Sequence, residues 1–161
     1  MIRPVTPADA QQLLDIYSYY ILNTTSTTEE IPPTAEEMAR RVSLVTTQFP
    51  WFVDERDGKI LGYSYAHSFR SRTAWHRTAE VSVYVHPKHC GQKIATHLYS
   101  QLFRRLKETT DIHVLIACIV LPNEASVRLH EHFGFLQKAL LKEVGFKFGC
   151  WMDIGLWHRI L

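Results

Sequence analysis

The run HVLIACIVL, residues 113 to 121, offers water almost nothing to hydrate. It is far shorter than the roughly 18 residues that cross a bilayer. A continuous apolar run of this length reads as a central β-strand covered on both faces. Such a strand needs partner strands and helices stacked on the sheet, which restricts the chain to a fold mixing both. The chain has 161 residues, enough for one domain built on one core, so a single unit over residues 1–161 is expected. With 46% hydrophobic and 21% charged residues it has the composition of a globular domain rather than a disordered one.

Other strands show by alternation. AEVSVYV puts Ala79, Val81, Val83 and Val85 on one face and Glu80, Ser82 and Tyr84 on the other. WFVDERDGKILGYSYAH predicts a hairpin, with Trp51 to Val53, an Asp57–Gly58 turn, then Ile60 to Ala66. Ile2 to Pro4 allows a short strand, and the tail beyond Leu136 holds two β-rich runs. Helices show by caps and periodicity. Thr6, Pro7 and Asp9 open one that carries Leu13, Ile16, Tyr17 and Tyr20; Thr34 and Glu37 open a second, with Met38, Val42 and Val45 inward. After Gly91, Ile94, Leu98, Leu102 and Leu106 recur every four residues, flanked by Ala95 and Phe103. Asn123 can cap a fourth helix that Gly134 would end. The order β-α-α-β-β-β-α-β-α-β-β is α+β, with a largely antiparallel sheet and helices on its faces. Two polar segments, NTTSTTEEIPP and SFRSRTAWHRT, read as loops, the first a candidate substrate loop.

A net charge of +2 gives no basic face for nucleic acid, and Arg104, Arg105 and Lys107 read as a solvated helix end. The three cysteines, Cys90, Cys118 and Cys150, are too scattered for a disulfide framework or a CxxC metal site. His130 and His132 are two apart and do not share a helix face, so no metal is expected. No signal peptide or membrane span is read, and a reducing, cytoplasmic location is expected.

Three pieces remain that can carry chemistry. The loop after Val85 joins a strand to a helix start, where unpaired N–H groups and the dipole favour an anion. One glycine there, Gly91, equally suits an ordinary turn. Glu80 interrupts an apolar strand, either on a solvated face or as a general base facing a cleft. NEASVRLHEHFGF puts Asn123 and Ser126 at a helix start and His130 two turns in.

Together these pieces give the chain a resemblance. It is similar to the GNAT N-acetyltransferases, and within them to the phosphinothricin and methionine sulfoximine acetyltransferase group. TAEVSVYVHPKHCGQKIATHLY, NEASVRLHEHFGF and VGFKFGCWMDIGLW carry it, over essentially the whole chain. The superfamily signature Gln/Arg-x-x-Gly-x-Gly/Ala falls on residues 90 to 95. Cys90 replaces Gln/Arg, Lys93 replaces the middle Gly, and Ala95 fits.

The resemblance implies a GNAT fold, a mixed, twisted, mostly antiparallel sheet whose central strands, Ala79–Val85 and His113–Val120, splay apart around acetyl-CoA. Val83, Tyr84 and Val85 would bond its pantetheine arm as an added strand. Gly91, Gln92, Lys93, Ile94, Ala95 and Thr96 would hold its pyrophosphate, with Asn123 and Ser126 also touching it. Glu80 would be the base, directly or through a water, and His130 the acid for the leaving thiolate. A backbone N–H near Val83 or Tyr84 would stabilise the oxyanion. The acceptor would be a small amino-acid-like amine, met by Arg70, Arg72, Thr73, Ala74 and Trp75. Phe146 and Phe148 would border that pocket or a homodimer interface. The readings left open are another amine (a protein N-terminus, a polyamine, a drug) and a non-catalytic acyl-CoA-binding module.

Overall fold

The computed structural model describes all residues from Met1 to Leu161. Seven strands form one sheet: β1 (Ile2–Pro4), β2 (Trp51–Arg56), β3 (Lys59–Ser68), β4 (Thr78–Val85), β5 (Val114–Leu121), β6 (Leu136–Lys147) and β7 (Cys150–Ile160). Four helices accompany them: α1 (Ala10–Asn23), α2 (Ala35–Val45), α3 (Ile94–Thr109) and α4 (Glu124–His132). The sheet order is β1-β2-β3-β4-β5-β7-β6. Every neighbouring pair is antiparallel except β4 and β5. No helix is long and apolar enough to cross a membrane.

The hairpin of β2 and β3 turns on Asp57 (φ 51°) and Gly58 (φ 74°), the left-handed pair that matches strand twist. The entry to α1 keeps the cap read in sequence, Thr6 with Pro7 first and Asp9 closing the capping box, but its first turn is tighter than an α-helix. Pro7–Asp9 form one 3₁₀ turn and the α-helix begins at Ala10. The reason is Asp9, whose carboxylate accepts both the Thr6 amide at 2.7 Å and two bonds from Arg3 at 2.8 Å. That fork ties β1 to the helix entry.

Alternation along β4 divides the interior in two. Ala79 and Val81 face a core with Leu98, Leu102 and Leu106 of α3 and Leu115, Ala117 and Ile119 of β5. The opposite face is not solvated. Tyr84 packs there with Tyr63, Trp51 and Val53 against Leu13, Ile16 and Tyr17 of α1 and Met38 and Val42 of α2.

β5 departs from the expectation that both its faces are covered. Leu115, Ala117 and Ile119 are buried, but Ile116 is only half-buried and Cys118 is exposed. The cause is the pairing with β4, which runs only through Thr78↔Val114, Ala79↔Leu115 and Glu80↔Ile116. Beyond Glu80 the strands separate and leave one face of β5 open to a cleft. The boundaries, Thr78–Val85 and Val114–Leu121, lie within a residue of those read in sequence.

Gly62 lets α3 sit down on this sheet. A Cβ there would lie 2.9 Å from the Tyr84 carbonyl oxygen and 3.0 Å from Ile94 Cγ2. The Gly62→Ala substitution is therefore expected to cost about 1–3 kcal/mol, roughly 2–4 °C of Tm for each kcal/mol. Thermal melts of the two proteins check it, and an unchanged Tm would mean that α3 is loosely seated.

Candidate active site

The splay opens a cavity of about 560 Å³ between β4, β5, α3 and α4. Val83, Tyr84 and Val85 form one wall, and Ala117 and Cys118 of β5 the other. β4 keeps its ladder with β3 as far as Val85, so only its β5-facing edge lacks a partner strand. An unpaired strand edge inside a protein must find other partners for its N–H and C=O groups. The Tyr20 hydroxyl takes one, donating to the Val85 carbonyl at 2.6 Å.

The start of α3 closes one end of the cavity. Gly91 has φ 81° and Lys93, the N-cap, has φ 60° and ψ 13°. Both lie in the left-handed region, where a residue with a side chain is strained by on the order of 1 kcal/mol. The amides of residues 91 to 96 find no carbonyl partner in the preceding loop, and the first capping bond runs from His97 to the Lys93 carbonyl. A row of free amides at a helix start is suited to an anion.

The start of α4 closes the cavity from the other side. Asn123 caps the helix by accepting from the Ser126 amide at 3.1 Å. His130, one turn on from Ser126, is buried. Its Nδ1 is 2.8 Å from the Ser126 carbonyl, which can only accept, so Nδ1 carries the proton. Its Nε2 therefore accepts from the Tyr99 hydroxyl at 3.0 Å. Burial lowers the His130 pKa and raises that of Tyr99, so both are neutral.

Glu80 stands at the last β4–β5 pair, where the cleft begins, on the face opposite to that core. It is half-buried, and no cation is paired with it. Across the cleft, Cys118 is open by area yet hemmed in by the walls. Loss of hydration, and secondarily the Glu80 carboxylate, push its thiol up to about 12. Tyr65 also lies on the Glu80 face and stacks on Trp51 with centroids 4.4 Å apart. The loop from α1 to α2 is held over this region: Thr27 bonds Tyr17 at 2.9 Å and accepts from the buried Lys147 ammonium at 2.9 Å.

Residues 2–156 match the acetyltransferase (GNAT) domain family. The chain belongs to the GNAT acetyltransferases. It is 38% identical over 161 residues to the phosphinothricin N-acetyltransferase of Alcaligenes faecalis, covering 99% of this chain and 82% of that one. It is 33% identical over 154 residues to the L-methionine sulfoximine/L-methionine sulfone acetyltransferase of Salmonella typhimurium, covering 95% of this chain and 90% of that one. A GNAT superfamily phosphinothricin acetyltransferase from Sinorhizobium meliloti, crystallised with acetyl-CoA, superposes with a TM-score of 0.96 at 36% identity, covering 100% of this chain and 88% of that one.

Within this GNAT domain most of the residues singled out in sequence come together. Val83, Tyr84, Val85, Gly91, Lys93, Ile94, Ala95, Thr96, Asn123, Ser126 and His130 all line the one cavity. Gln92 does not line it and reaches toward His89 Nδ1 at 3.5 Å. The β3–β4 loop folds Thr73–Trp75 into a 3₁₀ turn. Arg70 lies over the Phe69 ring at 5.0 Å, and Trp75 meets the same ring edge-on at 5.5 Å. Arg72, Thr73 and Ala74 are exposed beside them. Tyr20, Tyr99 and Cys118 also line the cavity; in the sequence Tyr20 reads as a helix-face residue, Cys118 as part of an apolar strand, and Tyr99 is not singled out. Nothing in their spacing marks them, because the splay that exposes them is a tertiary feature.

The neutral His130 has a consequence for stability. In the unfolded chain an imidazole titrates near 6.5, above its buried value. As pH falls through the unfolded value, the unfolded chain binds a proton that the folded one refuses, so stability falls with pH. The His130→Gln variant is expected to be less stable at pH 7 yet to lose less between pH 7 and pH 5 than the parent. Denaturant melts at both values measure this, and equal losses would place the proton uptake elsewhere.

Proposed function

We propose that residues 1–161 act as one N-acetyltransferase unit that moves an acetyl group from acetyl-CoA to the α-amine of a small amino-acid-like substrate. Phosphinothricin, methionine sulfoximine and methionine sulfone are the candidate acceptors, by likeness to the relatives named above. The observation that carries the reading is Glu80, a carboxylate with no cation partner at the last β4–β5 pair; it does not itself line the cavity, but Cys118 across the cleft does.

The cavity fits acetyl-CoA on two counts: a free strand edge on β4 for its amide arm, and free amides at the start of α3 for its pyrophosphate. When bound there, acetyl-CoA supplies the activated acetyl group as a thioester. Val83, Tyr84 and Val85 hold the arm. Residues 91 to 96, Gln92 contributing only its backbone, hold the phosphates, and Asn123 and Ser126 flank them. Glu80 takes a proton from the incoming ammonium, directly or through one water, and so frees the nitrogen lone pair. An amide of Val83 or Tyr84 stabilises charge at the carbonyl oxygen. His130 does its work through Tyr99. The imidazole orients the phenol by accepting its hydrogen bond; for the transfer the O–H turns from Nε2 to the leaving sulfur, and the second proton shed by the substrate nitrogen restores the phenol. Arg70 binds the acceptor's carboxylate, and Arg72, Thr73, Ala74 and Trp75 border it. The three free, exposed thiols suit a reducing, cytoplasmic setting.

Thiol release from acetyl-CoA over a panel of these three acceptors, a polyamine and a peptide N-terminus tests the reading. Turnover on the three acceptors alone supports it. Preference for the peptide or polyamine would replace the substrate class, and binding without turnover would leave a non-catalytic module. Glu80→Gln is expected to lower kcat by ~100-fold or more while acetyl-CoA affinity changes little. Near-parental turnover would remove Glu80 as the base.

We further propose that a second copy of the chain covers the β6–β7 hairpin. Phe146 (55% exposed), Phe148 (58%) and Trp151 (65%) crowd its tip, a large apolar patch for a lone chain. Sedimentation should find a dimer that Phe146→Asp with Trp151→Asp breaks; a monomeric parent would leave the patch to another partner.

A further inference from the structure

The face of the sheet that bears Glu80 also bears an imidazole, directly opposite it, that the steps above do not use. His67 stands directly opposite Glu80 in the β3–β4 ladder. Opposed residues of an antiparallel pair share a face, with Cβ atoms about 5 Å apart. Tyr65 stacks on the imidazole with centroids 5.8 Å apart, which fixes the ring against the strand. Nδ1 lies 3.0 Å from the Ser68 carbonyl, which can only accept, so Nδ1 carries the proton and Nε2 presents a lone pair. His67 is half-buried and its neighbour Ser68, the last residue of β3, is exposed, so the ring borders solvent. The charged and titratable groups around this pair are Tyr65 on β3, Cys118 on β5 and Arg70 in the β3–β4 loop, with Glu29 and Arg41 beyond Tyr65.

Proton bookkeeping gives such a group a task. The substrate nitrogen enters as an ammonium and leaves as an amide with one hydrogen, so it sheds two protons. One ends on the sulfur of CoA. The other must reach bulk water before Glu80 can serve again. Resting on the reading of Glu80 as the base, we propose that His67 is the positioning residue through which that proton leaves. The ammonium N–H bond breaks and its proton passes to the Glu80 carboxylate. The nitrogen lone pair forms the C–N bond as the C–S bond breaks; the C–S electron pair leaves on sulfur, which takes the Tyr99 proton, and the nitrogen's second proton replaces it on the phenol. Glu80 then gives its proton to Nε2 of His67, and the imidazolium releases it to water. Carboxylate and neutral imidazole are restored, and nothing is oxidised or reduced. An imidazole suits the step because its ordinary pKa lies near neutrality.

The test compares the parent, His67→Gln, Glu80→Gln and the double variant in thiol-release assays on the acceptors of the panel. His67→Gln is expected to lower kcat ~10-fold in dilute buffer, with KM for acetyl-CoA unchanged, as fits a partial loss of acid–base catalysis. Added imidazole should restore most of the rate, and His67→Gln should add no loss to Glu80→Gln. Parental kcat in His67→Gln, or a loss that imidazole leaves in place, would overturn the relay. Melting temperatures check that the variants fold. If Glu80→Gln is slow while His67→Gln is not, the relay alone fails. If Glu80→Gln keeps parental turnover, the base reading fails and the relay with it.

Discussion

The rest of the structure hangs on a ladder that stops. β4 and β5 share three residue pairs and then part. Each strand is well held on its other side, β4 by seven pairs with β3 and β5 by eight with β7. The sheet is thus two antiparallel halves pinned together at one end. An unpaired backbone group taken out of water costs roughly 1–3 kcal/mol, so the edge exposed by the parting favours anything that can pair with it. The cavity and the exposure of Cys118 follow from that one interruption, and Glu80 stands at the last pair before it.

The same geometry separates Glu80 from the His130–Tyr99 pair. Glu80 lies on the sheet face that packs against α1 and α2, with Tyr65 and Tyr84. His130 and Tyr99 belong to the other side, where α3 and α4 pack with Phe103 and Phe135. A group lying in the splay is reached from both faces at once. Two titratable sites in contact would couple and each would disturb the other's proton. A sheet between them lets one be a half-exposed carboxylate and the other a neutral, buried imidazole.

Much of this was legible in the residues. Capping at Thr34 and Asn123, the Asp57–Gly58 turn and the four-residue repeat from Ile94 to Leu106 are local signals, and each sits where it reads. Glu80 stood out because a carboxylate in an apolar strand calls for a reason. The covering of β5 was misjudged, because HVLIACIVL has no mark for which of its apolar side chains face a gap. Tyr99 and His67 were missed for a related reason. A buried tyrosine at helical spacing and a histidine at a strand end look like packing and surface until register sets them beside His130 and Glu80.

Lys93 shows what a motif position means physically. The signature asks for glycine where the chain must turn left-handed, and the chain does so with φ 60° on a lysine. The strain is on the order of 1 kcal/mol, small beside the 5–15 kcal/mol that typically holds a domain together. Gly91, at φ 81°, supplies the other left-handed residue without that strain. The amides of the loop therefore keep the directions that the glycine would give them. What the lysine changes is the side chain, since a residue bordering the cavity now carries an exposed cationic chain where a glycine would leave only a hydrogen. The departure from the signature is one of charge rather than of backbone shape. It bears on how tightly the loop would grip a phosphate, and leaves the architecture that presents the amides as it was.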